Sequence, residues 1–209
     1  MTRPLPTWIR LHLSSLRMLL LFTALTGLLY PLAVTGAAQA LFGHEANGSR
    51  IERNGAVVGS SLLGQRFDLR GKSPHQPGER PRPDPRWFQP RPSAGGYDPL
   101  ASGASNLGPR SGRLLAAIDR RRTDIARFNH VDPATVPADA LTAGGSGLDP
   151  HISRAYARLQ TARVARARGL SKTAVDALVN AHLQSRILGF LGEERVNVVE
   201  LNAALSRMR

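Results

Sequence analysis

The sequence predicts an α+β fold held behind a single transmembrane helix, on three observations. Residues 18–43 carry no charged side chain. Asn54-Gly55 lies between two apolar stretches, a strong two-residue hairpin signal. From Pro109 onward, apolar residues recur at helical spacing. The resulting layout has residues 1–17 as a short basic N-terminus and 18–43 as a transmembrane helix. Residues 44–209 form one extracytoplasmic domain with a small early sheet, several late helices and a proline-rich insertion at about 74–92. Residues 44–209 are a typical size for one domain.

The apolar run comes first. Leu19, Leu20, Leu21, Phe22, Leu25, Leu28, Leu29, Leu32 and Val34 supply most of its hydrophobicity. About 20 helical residues cross a hydrocarbon core of ~30 Å, so the run can span a bilayer once. Arg3, Arg10 and Arg17 precede it without an acidic residue among them. Basic flanks tend to stay cytoplasmic, which places the N-terminus inside and His44 onward outside. A cleaved signal peptide is the alternative. Ala38-Gln39-Ala40 has the form of a cleavage site, but the apolar run exceeds the ~7–15 residues of a signal h-region. Both readings export the domain. Ala33/Ala37 and Gly36/Ala40 repeat small residues at a spacing of four, which would let another helix approach closely in lipid. Pro31 should kink the span or free one backbone bond.

The outer domain follows. Ile51 to Val58 folds back on itself around Asn54-Gly55, and a second short strand is expected near Leu62 to Phe67. Pro74, Pro77, Pro81, Pro83, Pro85, Pro90 and Pro92 exclude helix and disfavour sheet. That stretch is either a local insertion or a segment laid against a partner. Beyond Pro109, Leu114, Leu115, Ile118, Ile125 and Phe128 mark the inner face of a helix, with Ser111 as its N-cap and Arg120 to Arg122 outside. A second helix starts near Ser153. Tyr156, Leu159 and Ala162 point inward in it; Arg154, Arg158, Arg163, Arg166 and Arg168 point mostly outward; Gly169 stops it. Ser171 caps a third helix, whose Val175, Leu178, Val179 and His182 share one face. Asn197 with Glu200 three residues on resembles a capping box before a last helix through Val198, Leu201 and Leu205.

Composition removes several functional classes. The chain has no cysteine, which excludes thiol catalysis, Cys-ligated zinc, iron–sulfur clusters and disulfides. The net charge is +13, yet all but Lys72 and Lys172 of the 28 basic residues are arginine. That reads as compositional bias. Trp87, Tyr97 and Tyr156 are too scattered to form the aromatic-plus-basic stripe of a nucleic-acid binder, so no nucleic acid is expected. A basic surface facing acidic protein or lipid fits better.

Gly144-Gly145-Ser146-Gly147-Leu148-Asp149-Pro150-His151-Ile152-Ser153 is the most unusual segment. It lacks the terminal G-K-[ST] of a P-loop and the spacing of a dinucleotide fingerprint. Ser146, Asp149 and His151 could suggest a hydrolase triad. Residues this close in one turn rarely reach triad geometry, whereas Asp149-Pro150 as a tight turn and Ser153 as a cap explain them directly. His12, His44, His75, His130, His151 and His182 show no metal-ligand spacing, and no paired acids offer general acid/base chemistry. No catalytic and no metal-binding residues are assigned.

The motifs in order are more specific than any one alone. After the span come Ala46-Asn47-Gly48-Ser49 and Gly59-Ser60-Ser61-Leu62-Leu63-Gly64-Gln65. Trp87-Phe88, Arg91-Pro92-Ser93-Ala94, the run from Ala101 to Pro109, Val136-Pro137-Ala138-Asp139 and Gly145 to Ser153 follow. Arg163 to Leu170, Leu188-Gly189-Phe190-Leu191-Gly192-Glu193, Arg195-Val196-Asn197-Val198 and Glu200-Leu201-Asn202 close the series. In this order, behind one anchor, the chain resembles the C subunit of the bacterial Kdp-type potassium-transporting ATPase, the KdpC family, over nearly its whole length. Two departures stand out. The aromatic pair expected soon after Gly64-Gln65-Arg66-Phe67 appears only at Trp87-Phe88, across the proline-rich stretch, and a His-Thr-Glu pattern appears as His182-Leu183-Gln184.

The resemblance implies an accessory, non-enzymatic subunit in the cytoplasmic (inner) membrane. Its partners would be a channel-like A subunit that conducts K+, a P-type B subunit that hydrolyses ATP, a small F subunit and membrane lipid. It would bind no cofactor of its own, with ATP and K+ handled by the complex. The family is described as a catalytic chaperone that raises the affinity of the B subunit for ATP, and a glutamine matching Gln160 has been linked to nucleotide. Only the residues before the span face the cytoplasm, where ATP is. The expected role is therefore structural, an outer cap near the K+ entrance, with any effect on ATP transmitted indirectly. Two alternatives stand beside it. One is a regulatory subunit that binds nucleotide directly through the Gly144–Gly147 loop and Gln160. The other is an independent membrane-anchored hydrolase using Ser146 or His151. Arg91, Ser93, Asn106, Asp149, His151 and Asn197, polar members of these motifs in loops or at helix starts, are the candidate partner-contact or turn-fixing residues.

Overall fold

The computed structural model describes residues 6–53, 55–69 and 82–208. It has two compact units, Met1–Ser49 and Arg50–Arg209.

In the first unit, α1 (Thr7–Ala24) and α2 (Tyr30–Leu41) are joined by a π-helical turn at Leu25–Leu29. Together they make one apolar helix of 35 residues, Thr7–Leu41, with none of its most apolar stretch buried. It begins well before the expected boundary at Met18. At ~1.5 Å per residue it is about 52 Å long, so it exceeds a ~30 Å hydrocarbon core. The π turn has a local cause. Pro31 has no N–H to give, and its ring pushes away the carbonyl of Gly27 one turn earlier, which widens the helix there. Thr26 adds to this by donating its hydroxyl back to Phe22 O (2.6 Å). The short α3 (Gly43–Ala46) follows, tied down by Asn47 Nδ2 donating to Gly43 O (2.6 Å).

The second unit opens with the expected hairpin. β1 (Arg50–Arg53) pairs antiparallel with β2 (Ala56–Ser60), Arg53 opposite Ala56, with a bulge between Ile51 and Glu52. Gly55 takes φ 75°, the left-handed conformation such a turn requires; Asn54 lies outside the described residues. The strand expected at Leu62 to Phe67 does not form. Only an isolated bridge, Ser60 to Leu63, is present there, because Gly64 N donates to Leu148 O (2.7 Å) and commits this backbone to a distant loop. Of the proline-rich stretch, residues 74–81 lie outside the described residues. Its flanks meet: Leu69 N donates to Arg82 O (2.9 Å) and Asp84 N to Phe67 O (3.0 Å). The segment between them therefore begins and ends side by side, the geometry of a local insertion.

α4 (Gly112–Asn129) follows, stopped by His130 at φ 57°. Ser111 precedes it without a side-chain capping bond; Ile118 and Ile125 of the expected inner face pack against the core beside buried Ala126 and Asn129, while Leu115 is exposed. α5 (Ala138–Leu141) is a single turn. α6 (Arg154–Arg168) starts at Ser153, whose hydroxyl accepts from Tyr156 N, and ends at Gly169 with φ 68°. α7 (Lys172–Ala181) starts at Ser171 in the same way. α8 (Val198–Leu205) is capped by Asn197, whose Oδ1 accepts from Val199 N and Glu200 N.

A three-stranded antiparallel sheet was not anticipated. β3 (His151–Ser153), β4 (Leu183–Gln184) and β5 (Arg195–Asn197) pair in the order β3-β5-β4. β5 runs straight into α8 and β3 into α6, so the sheet fixes where both helices start. The core lies between them: Phe88, Val164, Val175, Val196, Leu201 and Leu205 are fully or almost fully buried. Burial of each such side chain contributes roughly 1.5–3 kcal/mol.

One sequence expectation is reversed inside that core. Arg163 does not point outward; it is 4% exposed. The reason is a set of oxygens that only a long, forked donor can reach from α6, described below.

Candidate functional site

Four of the candidate residues meet where three loops of the second unit interlock. Arg91 Nη1 pairs with Asp149 Oδ2 (2.9 Å), and its Nε and Nη2 reach Thr142 O at 3.4 and 3.3 Å. Asp149 uses its other oxygen to accept from His151 N (3.0 Å) across Pro150, with His151 Nδ1 3.4 Å away. This is an Asp-fixed turn. Burial pushes the Asp149 carboxyl up. The hydrogen bonds from the His151 side chain and backbone and from Arg91 outweigh that and hold it down at about 2.

Ser93 and Tyr97 complete the lock. Ser93 Oγ donates to Gly147 O (2.6 Å) and accepts from Tyr97 N (3.0 Å). Tyr97 Oη donates to Arg91 O (2.7 Å), and its burial, together with the Asp149 charge, pushes the phenol well above its ordinary range. Ser146 accepts from Leu148 N on its hydroxyl (3.0 Å) and from Gly103 N on its carbonyl (2.8 Å). These are turn-forming roles. Among the described residues Ser146 makes no hydrogen bond to His151, so the pair is not arranged for nucleophilic chemistry. The approach of the loops is close enough to require glycine. A Cβ on Gly64 would lie 2.5 Å from Tyr97 Cε1 and 2.7 Å from Asp149 O, and one on Gly147, at φ 69°, 2.7 Å from Gly103 O.

The other candidates serve nearby or apart. Asn197 stands opposite His151 in the β3–β5 register; beyond capping α8, its Nδ2 donates to Ser61 O (2.7 Å). Asp139 of α5 accepts from both Ser153 N and Ser153 Oγ (2.8 Å each) and so pins the start of α6. Asn106 is not part of the cluster. It is exposed at φ 50°, a conformation that asparagine tolerates better than most residues.

Gln160 belongs to a second, buried polar centre. Its Oε1 accepts from Gln89 N (2.7 Å) and Arg163 Nη2 (2.6 Å), and its Nε2 donates to Gln89 O (3.0 Å). Asn202 of α8 grips the preceding residue in the same two-way manner, accepting from Phe88 N (3.0 Å) and donating to Phe88 O (2.9 Å). Arg163 spans the rest: Nε to Asn129 Oδ1 (2.9 Å), and Nη1 to Pro85 O (2.6 Å) and Trp87 O (3.0 Å), with its guanidinium 4.4 Å over the Phe128 ring. Burial pushes Arg163 down to about 10, so it stays protonated at neutral pH. Its acceptors are neutral carbonyls and amides. Segment 85–89 is thus held as a strand would be, by side chains instead of a ladder.

Arg163 and Asn202 were not among the candidates. A signal existed: Gln160 and Arg163 fall one and two turns after Tyr156 on the inner face of α6, and Asn202 falls one turn after Val198 on the inner face of α8. Chemically, both centres are braces. The hydrogen bonds named for them all run to other residues of the same chain, and among the described residues no three His, Asp or Glu side chains gather as metal ligands.

Asp149→Ala should lower the stability of the full-length chain at pH 7 by about 2 kcal/mol, since it leaves half-buried Arg91 without its carboxylate. The pH dependence has a definite sign. A depressed carboxyl stabilises above its ordinary value of 3.8 and loses that contribution as pH falls toward about 2. Melting curves from pH 7 to 2 should show a drop below pH 4 in the unaltered chain that is smaller in the variant. Equal drops in both would refute the assignment.

Residues 12–207 match the family model described as KdpC, K+-transporting ATPase, c chain. The chain is 50% identical over 207 residues to a potassium-transporting ATPase KdpC subunit of Kineococcus radiotolerans, covering 98% of this chain and 97% of that one. It is 47% identical over 199 residues to the protein of that name from Mycobacterium tuberculosis, covering 94% and 97%. It is 47% identical over 209 residues to the one from Streptomyces coelicolor, covering 94% and 92%. With a match along nearly all of its length and the motif residues placed as internal braces, the chain belongs to the KdpC family, the c chain of K+-transporting ATPases.

Proposed function

We propose that this chain is the non-catalytic accessory subunit of an ATP-driven, high-affinity K+ uptake complex. It assembles with a channel-like A subunit, an ATP-hydrolysing B subunit and a small F subunit. The full-length family match carries this reading. Arg3, Arg10 and Arg17, which precede the uncharged run at 18–43, support an N-terminus in the cytoplasm and an outer domain beyond the cytoplasmic (inner) membrane. In that position the domain steadies the complex and caps the K+ entrance.

The effect on ATP is indirect in this reading. Both amide atoms of Gln160 are engaged inside the domain, and the side chain has no exposed surface. A nucleotide would have to displace Gln89 and Arg163 to reach it. Binding of the subunit instead favours the conformation of its partner that holds ATP more tightly, a shift set by differential affinity for two states. The chain itself holds no cofactor, and K+ and ATP bind elsewhere in the complex.

One experiment tests role and orientation together. A tagged full-length chain carrying Thr173→Cys, an exposed position in a chain without cysteine, is treated with membrane-impermeant maleimide on K+-limited spheroplasts and then purified in detergent. The expected product is labelled from outside and accompanied by a channel-like subunit and a P-type ATPase. A chain that emerges alone from cells expressing both partners defeats the proposal, and labelling only after lysis defeats the orientation.

A further inference from the structure

We propose that loop 186–192, between β4 and β5, is a preformed apolar plug that docks into a groove on a membrane-embedded protein subunit of the transporter. The proposal deepens the accessory-subunit reading and rests on it.

The loop presents four large apolar side chains to solvent. Ile187 is 65% exposed, Leu188 80%, Phe190 70% and Leu191 49%. A contiguous patch of this kind marks an interaction site more often than scattered single residues do. Phe190 is the aromatic anchor such interfaces favour. The patch is also shaped in advance. Ile187 and Leu191 exchange both backbone hydrogen bonds at 2.9 Å, Gly189 N donates to Arg186 O (3.2 Å), and Phe190 N donates to Ile187 O (3.3 Å). Leu188 sits at φ 54°, a left-handed conformation that a branched apolar residue rarely adopts, while Gly189 and Gly192 take φ 82° and 81°. None of these side chains belongs to the hydrophobic core of the domain. Strain that displays apolar groups without burying them points to a receptor of matching shape.

Charge selects a protein over a bilayer as the occupant. Arg186 flanks the tip on one side and Glu193 on the other, and neither forms an ion pair among the described residues; Glu194 already pairs with Arg154 (3.2 Å). An apolar centre with one free base and one free acid on its rim has the anatomy of a protein interface. An insertion loop for phospholipid would carry only bases at its rim, because acidic side chains there meet phosphate. The matching groove is therefore apolar, with a carboxylate facing Arg186 and a cation facing Glu193.

Two measurements on the full-length chain decide this. In Leu188→Asn/Phe190→Ser, only exposed side chains change and asparagine tolerates the φ of Leu188, so melting should stay as in the unaltered chain. Recovery of the partner subunits with the tagged chain should fall about tenfold or more. Unchanged recovery overturns the proposal. In the second, Ser185→Cys, exposed at the foot of the loop, carries an environment-sensitive fluorophore in lipid nanodiscs. Its emission should shift to the blue in the assembled complex and not in the chain alone. A shift in the chain alone that lipid-borne quenchers suppress makes the bilayer the occupant, and absence of a shift in an intact complex leaves the tip in water; either overturns the proposal. Failure of the unaltered chain to recover any partner is a different result, because it removes the accessory-subunit reading itself.

Discussion

Arg163→Met is expected to destabilise the full-length chain by about 3–5 kcal/mol. The methionine stem can follow the aliphatic part of arginine through the core. It supplies no donor. Asn129 Oδ1, Pro85 O, Trp87 O and Gln160 Oε1 all lose one, at distances of 2.6 to 3.0 Å in the present structure. Each buried polar group left unpaired costs roughly 1–3 kcal/mol, and water entering the gap returns part of the sum. For a domain of this size the melting temperature should fall on the order of 10 °C. Lysine should rescue little, because its ammonium is a point donor and cannot span four oxygens. The measurement is a thermal melt of the full-length protein in detergent. A shift below 2 °C would mean that segment 85–89 is held by other means.

The burial of Arg163 also shows where sequence reasoning fails. On α6, arginine recurs so often that its helical position carries little information about direction, and composition alone favours an outward placement. What decides its orientation is a set of acceptors far away in sequence: Pro85 and Trp87 in an irregular segment and Asn129 at the end of α4. No local pattern encodes that set. The same limit applies to the Arg91–Asp149 pair, whose members were both selected from motifs but whose contact bridges 58 positions. The helix starts, by contrast, were legible because a cap acts within three residues. Ser153, Ser171 and Asn197 each accept from the expected backbone N–H. The first hairpin was legible for a similar reason, since the left-handed conformation of Gly55 is a property of the residue itself. The second sheet was invisible. β3, β4 and β5 are two or three residues long, too short for an alternation to register, and two of them end at a helix cap that reads as a helix start. The expected strand at Leu62 to Phe67 shows the reverse error: it forms no ladder, and the backbone N–H of Gly64 is taken by a loop carbonyl, that of Leu148.

Gln160→Ala should destabilise the chain by about 2–4 kcal/mol with no nucleotide present, and this separates a brace from a ligand contact. The substitution removes the acceptor for Gln89 N and for Arg163 Nη2 and the donor to Gln89 O. It also leaves a cavity in a fully buried position. A residue kept for ATP would behave differently, since its loss would spare the melting temperature and weaken nucleotide binding alone. Gln160→Glu sharpens the distinction. A carboxylate still accepts from Gln89 N, gains a charge-assisted bond from Arg163 and forfeits only the donor to Gln89 O, so it should melt closer to the unaltered chain than alanine does. Against a phosphate the same carboxylate would be repulsive, and a direct contact would make it the worse of the two. Melting of both variants, with the KM for ATP measured on whatever complex still assembles, gives the ordering. The brace predicts alanine below glutamate in stability and a KM within about twofold of the unaltered complex for each, because only the fraction assembled changes. An intact melt with a KM raised tenfold in Gln160→Glu would place ATP against this side chain, and would require the packing around Gln89 to open when the complex forms.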